Sequence, residues 1–350
     1  MTYNVNCSSR YRACWSSCPH PKIGNSNHEV RTLHDMKVAV VGCGGRGKGH
    51  IRAFGELEGT DVVAVCDVDC HLRHTVGDEL GIEQRYSVVD EMLDAEMPDA
   101  VVVAVPAHLN AKVALPILNR GFNTLIEKPP GMSVVETTEL RDAAAHSGAE
   151  AMVGWQRRFH PIVVRALEMV EARGAVTQVV GEFHKSITQL AESGRFPQEV
   201  LDNMVFETPI HSIDLVRTIA GSSDVAEVHS IVRRSVSIYK DVHAALILFE
   251  NGCVAQITAN YTTDARLQRY EIHGQDISAY IEGITEATIC ADGRRHQLRN
   301  EGLENDTTLQ ARFFMDCLKE NRPVGPPAAN LDEAIKTMEL AEAILTGLRD

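Results

Sequence analysis

Gly42-Cys43-Gly44-Gly45-Arg46-Gly47 ends an apolar run, Lys37 to Val41, and opens into a helix-compatible segment. Glycines at the first, third and sixth positions suit a backbone that wraps a pyrophosphate. Gly42 permits the tight turn, Gly44 lets the chain approach the phosphates, and Gly47 lets helix and strand pack closely. The helix beginning at Gly45 and Arg46 directs free N–H groups and its positive dipole end at the phosphates. A second apolar run, Val62 to Cys66, ends in Asp67, about 20 residues beyond Gly47, where a carboxylate accepts hydrogen bonds from an adenosine ribose. That charge repels the 2′-phosphate of NADP, so NAD is favoured. Asp69 adds negative charge nearby, whereas Arg73 offers a phosphate partner and keeps NADP possible. The plain alternative is an ordinary strand–helix–strand unit with a solvated acid at a strand end.

Lys128 is the second chemically suggestive residue. It stands in Glu127-Lys128-Pro129-Pro130-Gly131, between an acid and two prolines that stiffen the loop. Beside an oxidised nicotinamide, and partly buried, its ammonium pKa would fall, making it a usable hydrogen-bond donor or proton acceptor. The competing reading is a surface lysine paired with Glu127.

These residues need a scaffold, and alternating strand and helix signals supply one. Asp99 to Pro106 is an unbroken apolar run ended by proline, which fits a strand buried on both faces. A helix is expected over about Leu109 to Asn119, stopped by Gly121. Asn123 to Ile126 forms the next strand, and Ser133 caps the following helix with Glu136 completing a capping box. A strand from Glu150 to Gly154 closes a doubly wound parallel sheet. In such sheets ligands bind beyond the carboxyl ends of the strands, where Gly42, Asp67, Pro106 and Lys128 all fall. Further strands are expected at Thr177–Lys185, Val225–Val236, Val242–Phe249, Cys253–Tyr261, Leu267–His273 and Ile277–Ile281, with Asn251-Gly252 as a hairpin turn. Val242–Phe249 is apolar except for His243, so both of its faces are expected to be covered. Leu331 to Leu348 has the spacing of an amphipathic helix.

Composition narrows the class. The chain has 350 residues, with 34 Lys and Arg against 48 Asp and Glu, a net charge of −14. That balance argues against nucleic-acid or anionic-membrane partners, which need a basic face. No apolar run reaches the ~18 residues of a spanning helix. Nine cysteines are scattered, several in core-like strands (Cys66, Cys253, Cys290), as expected of reduced thiols in the cytoplasm. The first 36 residues differ: Cys7, Cys14, Cys18, His20, His28 and His34 lie among Ser, Asn, Pro and Arg. Zinc binding is one reading, although no Cys-x-x-Cys pair occurs. A disordered extension is the other, and no metal is expected.

The glycine fingerprint, the Glu127-Lys128-Pro129 loop, Gly154-Trp155-Gln156-Arg157-Arg158-Phe159 and His211-Ser212-Ile213-Asp214-Leu215, in that order, resemble the glucose–fructose oxidoreductase / inositol dehydrogenase / MocA family. The resemblance runs from about Lys37 to the C-terminus. It implies a Rossmann domain over 37–155 and an α/β domain with a large, mostly antiparallel open sheet over 156–325. Residues 326–350 would form a helix packing back near the first domain. It implies a homodimer or homotetramer paired through that sheet. His211 becomes the proton acceptor, with Lys128 hydrogen-bonded to the same substrate oxygen and Asp214 on the same helical face. Family members often carry Asp-x-x-x-His here. This chain has Glu207-Thr208-Pro209-Ile210-His211, so Glu207 takes the aspartate's role in holding a substrate hydroxyl and orienting His211. Pro106, Asn110, Glu127, Lys128, Gln156 and Arg158 are expected at the cofactor, Asn110 where relatives often have histidine. Trp155 either offers a flat face to a sugar ring or belongs to the core. Lys185 and Arg195 either favour an acidic or phosphorylated substrate or are solvated surface charges.

The expected activity is hydride transfer between NAD and a secondary alcohol of a sugar, cyclitol or related polyol. Two alternatives belong to other classes: an enzyme that retains its NAD through an internal redox cycle or a glycosidase-like reaction, and a non-catalytic sensor of NAD or sugar.

Overall fold

The computed structural model describes residues 35–349. The N-terminal cysteines and histidines named above, and with them the zinc and extension readings, lie outside that range. Six parallel strands form the first sheet, in the order β3-β2-β1-β4-β5-β6. They are β1 (Met36–Val41), β2 (Thr60–Cys66), β3 (Gln84–Tyr86), β4 (Ala100–Val103), β5 (Asn123–Glu127) and β6 (Ala151–Gly154). Helices α1 (Gly45–Gly55), α2 (Cys70–Leu80), α3 (Val89–Glu96), α4 (Asn110–Asn119) and α5 (Val134–Ser147) alternate with them. Val38–Val41 and Ala100–Val103 are buried on both faces, which is why the sequence shows unbroken apolar runs there. Ser133 accepts the Glu136 amide as expected, but the Glu136 carboxylate accepts the Met132 amide at 2.6 Å, one residue before the cap.

From α6 (Pro161–Glu171) the chain enters an eight-stranded sheet ordered β14-β13-β12-β11-β7-β10-β9-β8. Its strands are β7 (Gln178–Ser186), β8 (Val225–Arg233), β9 (Val242–Phe249), β10 (Val254–Asn260), β11 (Thr262–Gly274), β12 (Ile277–Glu282), β13 (Glu286–Ala291) and β14 (Arg294–Arg299). All neighbours pair antiparallel except β7 with β10. Between β7 and β8 come α7 (Ile187–Glu192), α8 (Gln198–Asp202), α9 (Met204–Glu207) and α10 (Ile210–Ile219). One sheet face is packed under α6 and α10. The other is left open by this chain, on the side where a second subunit is expected: His243, Ala245, Ile247 and Phe249 of β9 are buried while Ala244 and Leu246 are exposed. The strand is apolar on both sides, but only one side meets the chain's own core.

Two further helices join the sheets. Helix α11 (Asp306–Lys319) packs on α1 and the 3-10 segment Gln156–Phe159, so it covers a face of the first sheet although it follows the second in sequence. Helix α12 (Leu331–Leu345), three residues shorter than its apolar spacing suggests, packs on α5 and β8. Among the described residues no helix is long and apolar enough to cross a membrane.

Candidate active site

The glycine loop is set by two steric demands. Gly42 has φ +99°, and a Cβ there would lie 2.3 Å from the Ala104 carbonyl oxygen. A Cβ on Gly47 would lie 1.7 Å from the Gly42 carbonyl oxygen, so strand and helix touch backbone to backbone. Gly44 and Gly45 instead face open space. Helix α1 starts with no side-chain cap and no acidic residue in its first turn. Its first N–H groups are therefore available to an anion, and the opening fits a pyrophosphate. Asp67 closes the neighbouring strand end. Its Oδ2 accepts the Cys43 amide at 2.7 Å and its Oδ1 the Asp69 amide at 2.8 Å. Arg73 donates to the Asp67 carbonyl oxygen at 2.6 Å. These residues fit an adenine dinucleotide, and Pro106 sits exposed at the end of β4 on the same edge.

Glu127, expected at the cofactor, is buried and engaged within the protein. Its Oε1 accepts the Arg46 guanidinium (Nε at 3.0 Å) and lies 2.8 Å from His50 Nε2. Burial pushes its carboxyl up, but Arg46 and His50 outweigh that and hold it down at about 2. Asn110 is likewise fully buried. It donates to the carbonyls of Glu127 (2.9 Å) and Pro129 (2.8 Å), fixing the loop that carries Lys128.

Lys128 does not pair with Glu127 as a surface lysine would. Its ammonium reaches across to α9, donating to the Glu207 carbonyl oxygen, with the Glu207 carboxylate at 3.7 Å. Burial lowers its pKa, while Glu207 and Glu127 pull the other way. Thr208 donates to the Glu207 carboxylate and accepts from Lys185 Nζ at 2.9 Å. Among the described residues no hydrogen bond joins Glu207 to His211, so the expected orienting contact is replaced by one to Lys128. His211 lies on α10, a helix buried along its whole length and entered through Pro209. The imidazole's pKa is pushed well below its usual range, first by burial and then by the charges of Arg157, Lys128, Arg46 and Lys185. It is neutral at neutral pH.

Three expected site residues have other surroundings. Trp155 is 0% exposed, inside the core shared by the two sheets, so it offers no face to a sugar. Arg158 is also buried, and its Nε and Nη2 both hold Asp214, which Thr337 of α12 also contacts. The Arg158–Asp214 pair is a strut between the 3-10 segment, α10 and α12. Gln156 is half-buried. The residue of this segment whose charge acts most on His211 is Arg157, to which no role was expected to fall. It donates to the Tyr270 hydroxyl at 3.1 Å and stacks over Phe183. Lys185 was the other ambiguous residue. It occupies the inward phase of β7 after Val179, Gly181 and Phe183, and burial lowers its pKa to about 8 against the pull of Glu207. Arg195 is exposed on its loop.

Comparison with known proteins accords with this architecture. Residues 36–155 match the family model for the oxidoreductase family with an NAD-binding Rossmann fold, and 163–280 match the GFO/IDH/MocA C-terminal domain. The chain is 26% identical to scyllo-inositol 2-dehydrogenase (NAD(+)) of Bacillus subtilis, over 91% of this chain and 95% of that one. It is 25% identical to D-xylose 1-dehydrogenase (NADP(+)) 2 of Haloferax volcanii, over 74% of this chain and 82% of that one. Levoglucosan dehydrogenase in complex with NADH and levoglucosan has the same fold, with a TM-score of 0.79 at 18% identity, covering 89% of this chain and 96% of that one. The chain belongs to the GFO/IDH/MocA oxidoreductase family, with an NAD-binding Rossmann domain followed by the family's C-terminal domain.

Proposed function

We propose that the protein is an NAD(P)-dependent dehydrogenase that oxidises a secondary alcohol of a sugar, cyclitol or related polyol, with NAD as the favoured cofactor. The observation that carries this reading is the convergence of Lys128, Glu207 and a neutral, buried His211 where β5 leaves the nucleotide-binding sheet. The named activities of the inositol and xylose relatives support it. The dinucleotide, when bound, supplies a hydride acceptor. His211 takes the hydroxyl proton, because its neighbouring cations disfavour a protonated resting state. Lys128 donates a hydrogen bond to the same oxygen and steadies its developing negative charge. Glu207 holds the Lys128 ammonium in place and accepts from an adjacent hydroxyl. Asp67 takes the adenosine ribose, and Gly42 to Gly47 the pyrophosphate.

The exposed face of the second sheet supports a homo-oligomer, with Ile231, Leu246 and Tyr280 on one side of it. A monomeric mass in solution rejects that part of the proposal.

The test of the activity is absorbance of reduced nicotinamide while neutral sugars, sugar acids, sugar phosphates and inositols are offered with NAD or NADP. A rise with one substrate class is expected. His211→Gln and Lys128→Met should each lose about 10²-fold or more in turnover while still binding NAD. Turnover like that of the wild type in either variant removes that residue from the mechanism. Tight NAD binding with no rise on any substrate would favour an enzyme that never releases its cofactor, or a sensor.

A further inference from the structure

Strands β7 and β11 pair regularly from Gln178–His273 to His184–Leu267, and again at Ser186–Thr262. Between those two points β11 carries the four residues 263–266 against the single residue Lys185. This is a bulge of the kind that re-aims side chains beside a site. Thr263 Oγ1 donates to the Lys185 carbonyl oxygen at 3.2 Å, tying the bulge to that residue. Arg266, exposed at its end, lies close enough to act on the Lys185 charge.

Lys185 is thus a half-buried ammonium among three cations, Arg266, Lys128 and Arg157, and one carboxylate, Glu207. Glu207 is already held by Lys128 and Thr208. The hydrogen bond of Lys185 goes to a neutral partner, the Thr208 hydroxyl, and its ammonium lies 5.5 Å from the centre of the Phe183 ring, so neither contact supplies a counter-charge. Arg157 is nearly fully buried, and its hydrogen bond also goes to a neutral hydroxyl, that of Tyr270. Among the described residues neither cation has a carboxylate closing an ion pair with it. Asp306 acts on Arg157 and Glu207 on the two lysines, but four cations against these two acids leave positive charge in excess, which focuses the field on an incoming anion.

We infer that the substrate is a polyol bearing an anionic group, a carboxylate or a phosphate, which Lys185 and Arg266 hold while a hydroxyl elsewhere on the molecule lies against Lys128 and His211. The inference rests on the dehydrogenase reading for the placement of the hydroxyl, but not for the anion site. Lys185 and Arg266 lie on the two strands joined at the bulge, so the anionic group is bound by the second sheet. The dinucleotide is bound by the first.

The experiment is calorimetric titration of the NAD-saturated full-length chain with glucose and myo-inositol as neutral ligands, glucuronate as the carboxylate and glucose 6-phosphate as the phosphate. At least one anionic sugar is expected to bind about tenfold or more tighter than glucose. Lys185→Gln and Arg266→Gln should each remove about tenfold of that affinity, with NAD affinity as the control for an intact fold. The exposed position of Arg266 keeps the test open should Lys185→Gln fail to fold. Whichever of the two anions gains identifies the group. Equal affinities for neutral and anionic sugars overturn the inference, as does absence of anionic binding at millimolar concentration or unchanged anion affinity in both variants. If anions bind through Lys185 but no reduced nicotinamide forms, the dehydrogenase reading fails and the anion site stands. If neutral polyols are oxidised with no preference for anions, the reverse holds.

Discussion

Asp67 has two duties. One carboxylate oxygen holds the Cys43 amide of the glycine loop and the other holds the Asp69 amide. Each oxygen keeps a second acceptor direction for a ribose hydroxyl. A 2′-phosphate brought to the same place would meet a fixed negative charge with no proton to offer it. Asp67→Ala should therefore shrink the ratio of NADP to NAD dissociation constants by about 10- to 100-fold. Nucleotide titrations followed by fluorescence measure this, and an unchanged ratio would mean that Arg73 or the loop sets the choice. Glu127 illustrates a different residue-scale lesson. The resemblance places it at the cofactor, and in the fold its carboxyl, held at about 2 between Arg46 and His50, is an ionised anchor. It joins the phosphate loop to the Lys128 loop and has no proton to exchange near neutrality.

At the scale of elements, the glycine turn separates two kinds of glycine. Gly47→Ala drives a methyl group into the Gly42 carbonyl, so strand and helix must part; a loss of about 2 kcal/mol or more is expected. Gly44→Ala places its methyl in open space, so stability should stay within about 0.5 kcal/mol while dinucleotide affinity falls. Thermal melts with and without NAD separate the two cases, and equal melting losses would refute the distinction. This turn was fully legible, because only backbone sterics and strand periodicity were needed to place it. The buried strands of the first sheet were legible for the same reason, as was the order of the motifs. Other elements were not. The neighbouring Arg157 and Arg158 sit on a 3-10 segment, where no apolar period says which one faces inward and which one pairs with Asp214. Lys185 had a usable signal, a lysine in phase with the buried residues of β7, but it competed with the ordinary reading of a charged strand end. The hairpin β13–β14 was missed although Asp292-Gly293 marks its turn. Its last strand, Arg294–Arg299, is almost wholly polar and exposed and gives no apolar alternation.

For the molecule as a whole, three histidines buried without charge set the response to acid. Burial, aided by Arg157, lowers His160 from 6.5 to about 4. Burial also brings His243 to about 4, despite opposing contributions from the Ala259 backbone and Asp241. His211 is also held well below its usual range, first by burial. The unfolded chain binds protons at these residues below pH 6.5 and the folded chain refuses them, so stability is full above that pH and falls as pH drops towards 4. Each contributes a slope of about 1.4 kcal/mol per pH unit, or roughly 4 kcal/mol per unit together. Urea midpoints at pH 7, 6, 5 and 4 measure it. His243→Phe should flatten the curve by one proton's share, and an identical slope would show that His243 titrates normally.

The segment after α11 touches both sheets at their margins. The Val153 amide on β6 donates to the Ala329 carbonyl oxygen, and the Val232 amide on β8 donates to that of Gly347, both at 2.9 Å. Strands β6 and β8 are the edge strands of their sheets. During synthesis both sheets can therefore assemble while each still presents an unsealed edge, until residues 329–347 leave the ribosome. A chain stalled before that point carries two templates for pairing with its neighbours. Residues 329–347 are thus what takes these two edges out of reach of a neighbouring nascent chain.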